Sequence, residues 1–242
     1  MRRFFVDITD LNQDKVTLPP DESKHAAKVL RMKCGDQMEI VNGKGVLFTG
    51  EIIDDAPKSV IVQKLDYIQE SPDEHHIHIA IAPTKNNDRY EWFLEKATEL
   101  GIHEITPILC KNAERKRIKP ERFQKILVSA IKQSKRLFLP KLNALTKVED
   151  FISQHPSGLI AHCYEEEDRN TTIAKSLSTN SSQFTKANTP ILIGPEGDFT
   201  LNEIEKALKN QYQAVTLGKT RLRTETAGVY ACMAVKQYFE EQ

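Results

Sequence analysis

The chain has 242 residues, and its 34 lysines and arginines balance 34 aspartates and glutamates, giving a formal net charge of zero at pH 7. That length suits one large or two modest domains with a sizeable core. The balance excludes a global basic field, so any case for nucleic acid has to rest on local clusters.

Residues 1 to about 70 read as short strands joined by tight turns, with Phe4 to Ile8, Gln37 to Val41, Gly45 to Ile53 and Ser59 to Leu65 as the strands. Asn42-Gly43 is a strong hairpin signal, and His25 to Met32 reads as a short helix. Glu70-Ser71-Pro72-Asp73-Glu74 is a polar linker. The pattern is that of a small β-barrel-like domain over 1–70.

From His76 onward strands and helices alternate. His76 to Ala82 is a strand, Asn87 to Leu100 a helix closed by Gly101, and Glu104 to Leu109 a strand. Pro120 to Arg136 is a helix opened by its proline, Gly158 to His162 a strand, and Thr171 to Leu177 a short helix. Ser176 to Thr189 reads as a polar surface loop. Such alternation over 75–242 implies a mostly parallel sheet with helices on both faces.

Two βα units complete the chain. Pro190 to Ile193 is a strand, Gly194 and Gly197 bracket Pro195-Glu196, and Thr200 with Glu203 forms a capping box for the next helix. Ala214 to Leu217 is a strand, Gly218 to Arg223 a loop, and Thr224 the expected N-cap of a helix striped by Ala227, Tyr230, Ala231, Ala234, Val235 and Tyr238. Ligands of open α/β sheets bind outside the carboxyl ends of the strands, which is where both glycine-bearing turns fall. Gly218-Lys219-Thr220 is not a P-loop, because Gln213 stands where that motif needs glycine, and no G-x-G-x-x-G opens a helix.

Four cysteines (Cys34, Cys110, Cys163 and Cys232) lie scattered without C-x-x-C spacing, which argues against a disulfide framework or a zinc site. His76 and His78 share one strand face, and alternation on a sheet edge accounts for them without a metal. No apolar leader or membrane-length segment is visible. The expectation is a soluble cytoplasmic protein with no metal and no membrane partner.

These segments resemble the RsmE family of 16S rRNA (uracil-N3)-methyltransferases, of the SPOUT superfamily. The resemblance runs through Met1-Arg2-Arg3-Phe4-Phe5, the block from His25 to Asp36, Pro83-Thr84-Lys85, Glu95 to Gly101, Leu192 to Gly197 and Leu222 to Ala227. Departures are Asp198 where glycine usually follows Gly-Pro-Glu-Gly, Lys219-Thr220 for a common Pro-Arg, and Lys132-Gln133-Ser134-Lys135-Arg136 for Glu-Gln-Ser-Gly-Arg.

The resemblance implies a PUA-like RNA-binding domain over 1–70 and a SPOUT domain over 75–242 with a C-terminal trefoil knot. It also implies a homodimer whose site lies near the dimer interface, S-adenosylmethionine as cofactor, and 16S rRNA within the small ribosomal subunit as partner. Backbone groups of Ile193, Gly194, Gly197, Leu217, Gly218 and Leu222, together with Thr224, are then the expected cofactor contacts. Glu196 and Glu225 either bind the cofactor or brace the loops. Uracil N3 lies on the Watson–Crick edge, so the base must be unpaired, and a cation near its carbonyls would stabilise the developing anion. Arg223 is the first candidate and Arg136 the second. Expected RNA contacts are Arg3, Lys28, Arg31, Lys85, Arg89, Arg115, Arg117, Lys132 and Arg136. Two other readings remain open: a SPOUT enzyme acting on ribose 2′-OH or another base, and a non-catalytic ribosome assembly factor.

Overall fold

The computed structural model describes residues 1–8, 10–164, 171–179 and 189–241. These divide into two compact units, one of Met1–Pro72 with Val128–Leu139 and one of Asp73–Leu127 with Pro140–Gln242.

The first unit is a five-stranded sheet of β1 (Arg2–Phe5), β2 (Lys15–Thr17), β3 (Gln37–Val41), β4 (Val46–Asp54) and β5 (Ile61–Gln69), ordered β1-β3-β4-β5-β2. β1 runs parallel to β3 and every other pairing is antiparallel. Strand alternation sends Val46, Phe48 and Ile52 of β4 inward, where they meet Phe4, Met38, Ile40 and Val62. Helix α1 (Pro20–Lys24) starts on a proline and runs into a π-helical turn, His25–Val29. The buried Ser23 hydroxyl donates to Leu18 O (2.9 Å) and accepts from Val60 N (3.0 Å), pinning this helix to the sheet. Ile131 and Leu137 form a second apolar cluster with Val41, and Leu139 N donates to Gly43 O (2.9 Å). The first unit is therefore completed by a segment some sixty residues downstream of its last strand.

The second unit is a parallel sheet of β6 (Ile77–Ile81), β7 (Glu104–Leu109), β8 (Lys141–Leu142), β9 (Thr146–Lys147), β10 (Gly158–Ala161), β11 (Thr189–Ile193) and β12 (Tyr212–Val215), ordered β12-β10-β11-β6-β7-β8 with β9 also on β7. Every residue of β6 and β11 is buried, as expected of strands covered on both faces. Ala80 and Ala82 join the cluster of Phe151, Ile204 and Tyr212, from α4 (Val148–Gln154), α6 (Leu201–Lys209) and β12. Ile81 points the other way, toward α2 (Asn87–Leu100) and α7 (Thr224–Glu240). A Cβ on Gly228 of α7 would lie 2.7 Å from both Ile81 Cδ1 and Phe93, so glycine is what lets this helix approach. The remaining helices are α3 (Pro120–Ser134) and α5 (Ile173–Thr179). Among the described residues no helix is long and apolar enough to cross a membrane.

Several expectations shift. The first strand is Arg2–Phe5 rather than Phe4 to Ile8, and the short strand Lys15–Thr17 carries too little pattern to be read. The helix expected from His25 begins at Pro20 and ends by Leu30, because Arg31 takes φ 56°. β5 runs to Gln69, and β12 starts at Tyr212 and ends at Val215. Ser176 and Leu177, read both as the end of a helix and the start of a loop, belong to helix α5 with Ser176 buried; Ser178 and Thr179, expected as loop, close that helix, and Thr189 opens β11; the rest of that stretch, 180–188, lies outside the described residues. β6 is interior, so His76 and His78 do not sit at a sheet edge. β8, β9 and α4 are too short to leave a periodic signal.

Candidate functional site

Three loops follow the carboxyl ends of parallel strands in the second unit: Ala82 to Asn86 after β6, Gly194 to Thr200 after β11, and Thr216 to Arg223 after β12. Specific bonds draw them together. Thr224 Oγ1 donates to Gly194 O at 3.0 Å in a buried contact, joining the start of α7 to the end of β11. Thr224 was the expected N-cap, but Arg223 holds that position and makes no side-chain cap bond; the Thr224 hydroxyl is spent on Gly194 instead. Lys85 N donates to Glu196 Oε1 at 3.0 Å, closing the first loop against the second.

A further loop, after β7, supports them. Asn112 Nδ2 donates to Gly197 O (3.1 Å) and Asp198 O (3.2 Å). Arg115 Nε donates to Thr84 O (2.9 Å), and its Nη2 reaches Lys85 O. Glu203 forms the expected capping box with Thr200 and also accepts from Lys111 N (2.8 Å). Asp198 has φ 60°, a conformation that favours glycine and that aspartate tolerates. Its carboxylate accepts from Cys163 N (2.7 Å) and Phe199 N (2.8 Å), so the departure from glycine adds a brace. From sequence Asn112 carries no mark beyond being a polar residue shortly after a strand, and Asp198 stands out only as a departure from glycine, not as a brace.

The site has room and an open acceptor. Gly218 has φ 121° and open space in its Cβ direction, whereas a Cβ on Gly194 would press on the Phe199 ring at 3.1 Å, so glycine there serves close packing. Glu196 and Gly197 donate their backbone N–H groups to no partner among the described residues. Ile193 O is taken by Ala82 N (3.0 Å). Glu225, in the first turn of α7, is buried; its Oε1 lies 3.9 Å from Arg89 Nε and its Oε2 has no hydrogen-bond partner. A buried carboxylate oxygen without a donor is costly unless a ligand supplies one. Leu217 and Leu222 are half-buried beside these loops, and Arg223 is exposed with no ion pair among the described residues.

The other candidates divide. Arg136 belongs to the first unit, where its N–H bonds Ile131 O as α3 ends. Arg3 pairs with Glu39 (2.8 Å), Lys132 with Glu22 (2.6 Å) and Lys85 with Glu114 (2.7 Å). Lys28, Arg31 and Arg117 are exposed and carry no partner among the described residues. His78 is buried, with Nε2 2.8 Å from Thr106 Oγ1, and His76 Nε2 lies 3.0 Å from Glu104.

Comparison with known proteins places this geometry. Residues 70–236 match the model of an RNA methyltransferase domain, and residues 18–65 that of an RNA methyltransferase PUA domain. Ribosomal RNA small subunit methyltransferase E of Buchnera aphidicola (subsp. Acyrthosiphon pisum) is 30% identical over 249 residues, covering 98% of this chain and 93% of the relative. Among solved structures, a probable rRNA-methyltransferase from Porphyromonas gingivalis superposes with TM-score 0.81 at 37% identity, over 100% of this chain and 98% of that one. A methyltransferase from Legionella pneumophila, solved with bound S-adenosylmethionine, gives TM-score 0.83 at 26% identity, over 97% and 96% of the two chains.

Proposed function

Because the chain belongs to the ribosomal RNA small subunit methyltransferase E family, we propose that it uses S-adenosylmethionine to methylate N3 of one uridine in 16S rRNA of the small ribosomal subunit. The observation that carries the reading is the loop cluster at the carboxyl edge of the sheet. There Thr224 binds Gly194, and Glu225 keeps one buried oxygen without a donor.

The residues present suit that cofactor. Free N–H groups of Glu196 and Gly197, the room beside Gly218, and the open Glu225 oxygen match a ligand carrying amino, hydroxyl and carboxylate groups. Leu217 and Leu222 offer apolar surface to its adenine. When bound, the cofactor supplies a methyl group on a sulfonium, an electrophile that needs little covalent help from protein. The chain's work is then to orient the base and to manage its charge. Arg223 stands at the positive end of the 17-residue helix α7, next to Thr224. A guanidinium and a helix N-terminus together stabilise the anion that develops on the uracil carbonyls as N3 loses its proton.

In this reading 1–70 bind RNA, 75–242 form the knotted catalytic domain, and the protein works in the cytoplasm on the small subunit. A homodimer is part of it: Trp92 on α2 and Tyr230 and Met233 on α7 are exposed large side chains on two helices that pack together. The test is transfer of labelled methyl from S-adenosylmethionine to small subunits lacking the modification, followed by nucleoside mass analysis. N3-methyluridine is expected. A ribose-methylated nucleoside would move the reading to the 2′-OH, and no transfer with no cofactor binding would move it to an assembly factor.

A further inference from the structure

The first unit contains a cavity of about 400 Å³ between β1, the π-helical turn and the C-terminal half of α3. Its volume falls in the range of roughly 300–1,000 Å³ typical of small-molecule sites. Four cations line it, and they are of two kinds. Arg3 and Lys132 are held by carboxylates, Arg3 to Glu39 at 2.8 Å and Lys132 to Glu22 at 2.6 Å, and their side chains are only 8% and 24% exposed. They make a neutralised, rigid wall. Arg2 and Lys135, by contrast, are exposed and have no carboxylate partner among the described residues. Gln133, His25 and Ser129 complete the polar lining, and Leu30 and Met1 add an apolar surface.

We propose that this cavity holds one unpaired nucleotide of the RNA substrate, its phosphate on Arg2 and Lys135 and its base edge on Gln133. Two unpaired cations at one pocket suit a phosphodiester, while a glutamine amide offers one donor face and one acceptor face to a base. The space exceeds what a lone phosphate needs, and the apolar wall suits the flat face of a base. The pocket exists only because Val128–Leu139 folds back onto the first unit, bringing Lys132, Gln133 and Lys135 to strand β1. It also reassigns the contacts: Arg3 and Lys132, expected from sequence to meet phosphate, are occupied, and that role passes to Arg2 and Lys135.

The proposal rests on the reading of the chain as an RNA-acting enzyme. Its test is binding of a fluorescein-labelled ten-nucleotide oligouridylate, by anisotropy over a series of salt concentrations, to the full chain and to two variants. The first combines Arg2→Gln with Lys135→Asn; asparagine suits the φ of 60° at Lys135. The second is Gln133→Ala. The double variant is expected to weaken binding about tenfold at low salt and to lower the salt slope by about one unit, since each phosphate contact on a single strand contributes roughly 0.7. Gln133→Ala is expected to weaken binding with the slope unchanged. Circular dichroism and urea unfolding indistinguishable from the parent chain certify the fold of both variants. A double variant that matches the parent chain in affinity and slope overturns the pocket. So does a parent chain that ignores the oligonucleotide yet methylates subunits, an outcome that leaves the proposed function standing. Oligonucleotide binding that follows the expected pattern without methyl transfer to any RNA supports the pocket and sinks the proposed function.

Discussion

The hydroxyl of Thr224 reaches the carbonyl of Gly194 across 3.0 Å, and this one buried bond fixes the start of the C-terminal helix on the turn that ends strand β11. Thirty residues of chain separate the two. Leaving a buried acceptor without its donor costs about 1–3 kcal/mol. Thr224→Val keeps the shape and removes the donor. It should weaken S-adenosylmethionine binding about tenfold by calorimetry, whereas Thr224→Ser should bind nearly as the parent does. Equal affinities for the valine variant and the parent would mean that the bond does not shape the cofactor site.

Arg115 looks from sequence like one more phosphate contact in a basic run. In the fold its guanidinium spans Thr84 O and Lys85 O, behind the backbone N–H that meets Glu196. Its work is to position that loop. Arg115→Ala should reduce cofactor affinity by about tenfold and leave the salt slope of RNA binding as it was. Arg115→Lys should rescue little, because an ammonium lacks the planar fork that holds two carbonyls. A lowered slope with normal cofactor affinity would return Arg115 to the RNA contacts.

For Arg223 the expected signature is a split between binding and turnover. Removing one preorganised group that stabilises developing charge typically costs about 100- to 1,000-fold in rate. Arg223→Ala should lower kcat by about that much and change cofactor Kd less than threefold. Parallel losses in both would make Arg223 part of the cofactor loop.

His78 predicts acid lability. Burial, reinforced by His155, His76 and Lys141 and opposed by Glu104, holds its pKa at about 4, while the exposed imidazole titrates near 6.5. Between these values the unfolded chain binds the extra proton, so stability rises with pH across that window and is level above it. Glu104 acts in the same sense below the usual carboxylate range: burial works against its charge, but hydrogen bonds from His76, Asn143 and Lys141 hold its carboxyl well down. Unfolding free energy from urea titrations should fall by about 3 kcal/mol from pH 7 to pH 4. His78→Asn should flatten most of that dependence. A parent chain equally stable at pH 4.5 and pH 7 would contradict it.

Long periodic elements were legible in the sequence because burial enforces their pattern. Asn87–Leu100 and Glu104–Leu109 appear with their expected limits, and the Thr200–Glu203 capping box forms as read. Elements of two to seven residues, such as β8, β9 and α4, are shaped by tertiary contacts and left no period to detect. The site loops were visible as glycine-bearing turns at strand ends. The partners that hold them were not, because Asn112 and Lys85 reach Glu196 to Asp198 from 85 to 111 residues earlier in the chain, and Arg115 holds the Thr84–Lys85 loop from 30 residues away. Charge counts along the sequence also do not show ion pairs made across the fold, such as Arg3 with Glu39 and Lys132 with Glu22.

The most direct test of the central claim is primer extension along 16S rRNA from small subunits lacking the modification, incubated with the purified chain with and without S-adenosylmethionine. A methyl group on uracil N3 blocks the Watson–Crick edge, so one strong, cofactor-dependent stop at a single uridine is predicted. Methyl label entering the rRNA without any such stop would contradict N3 as the acceptor atom.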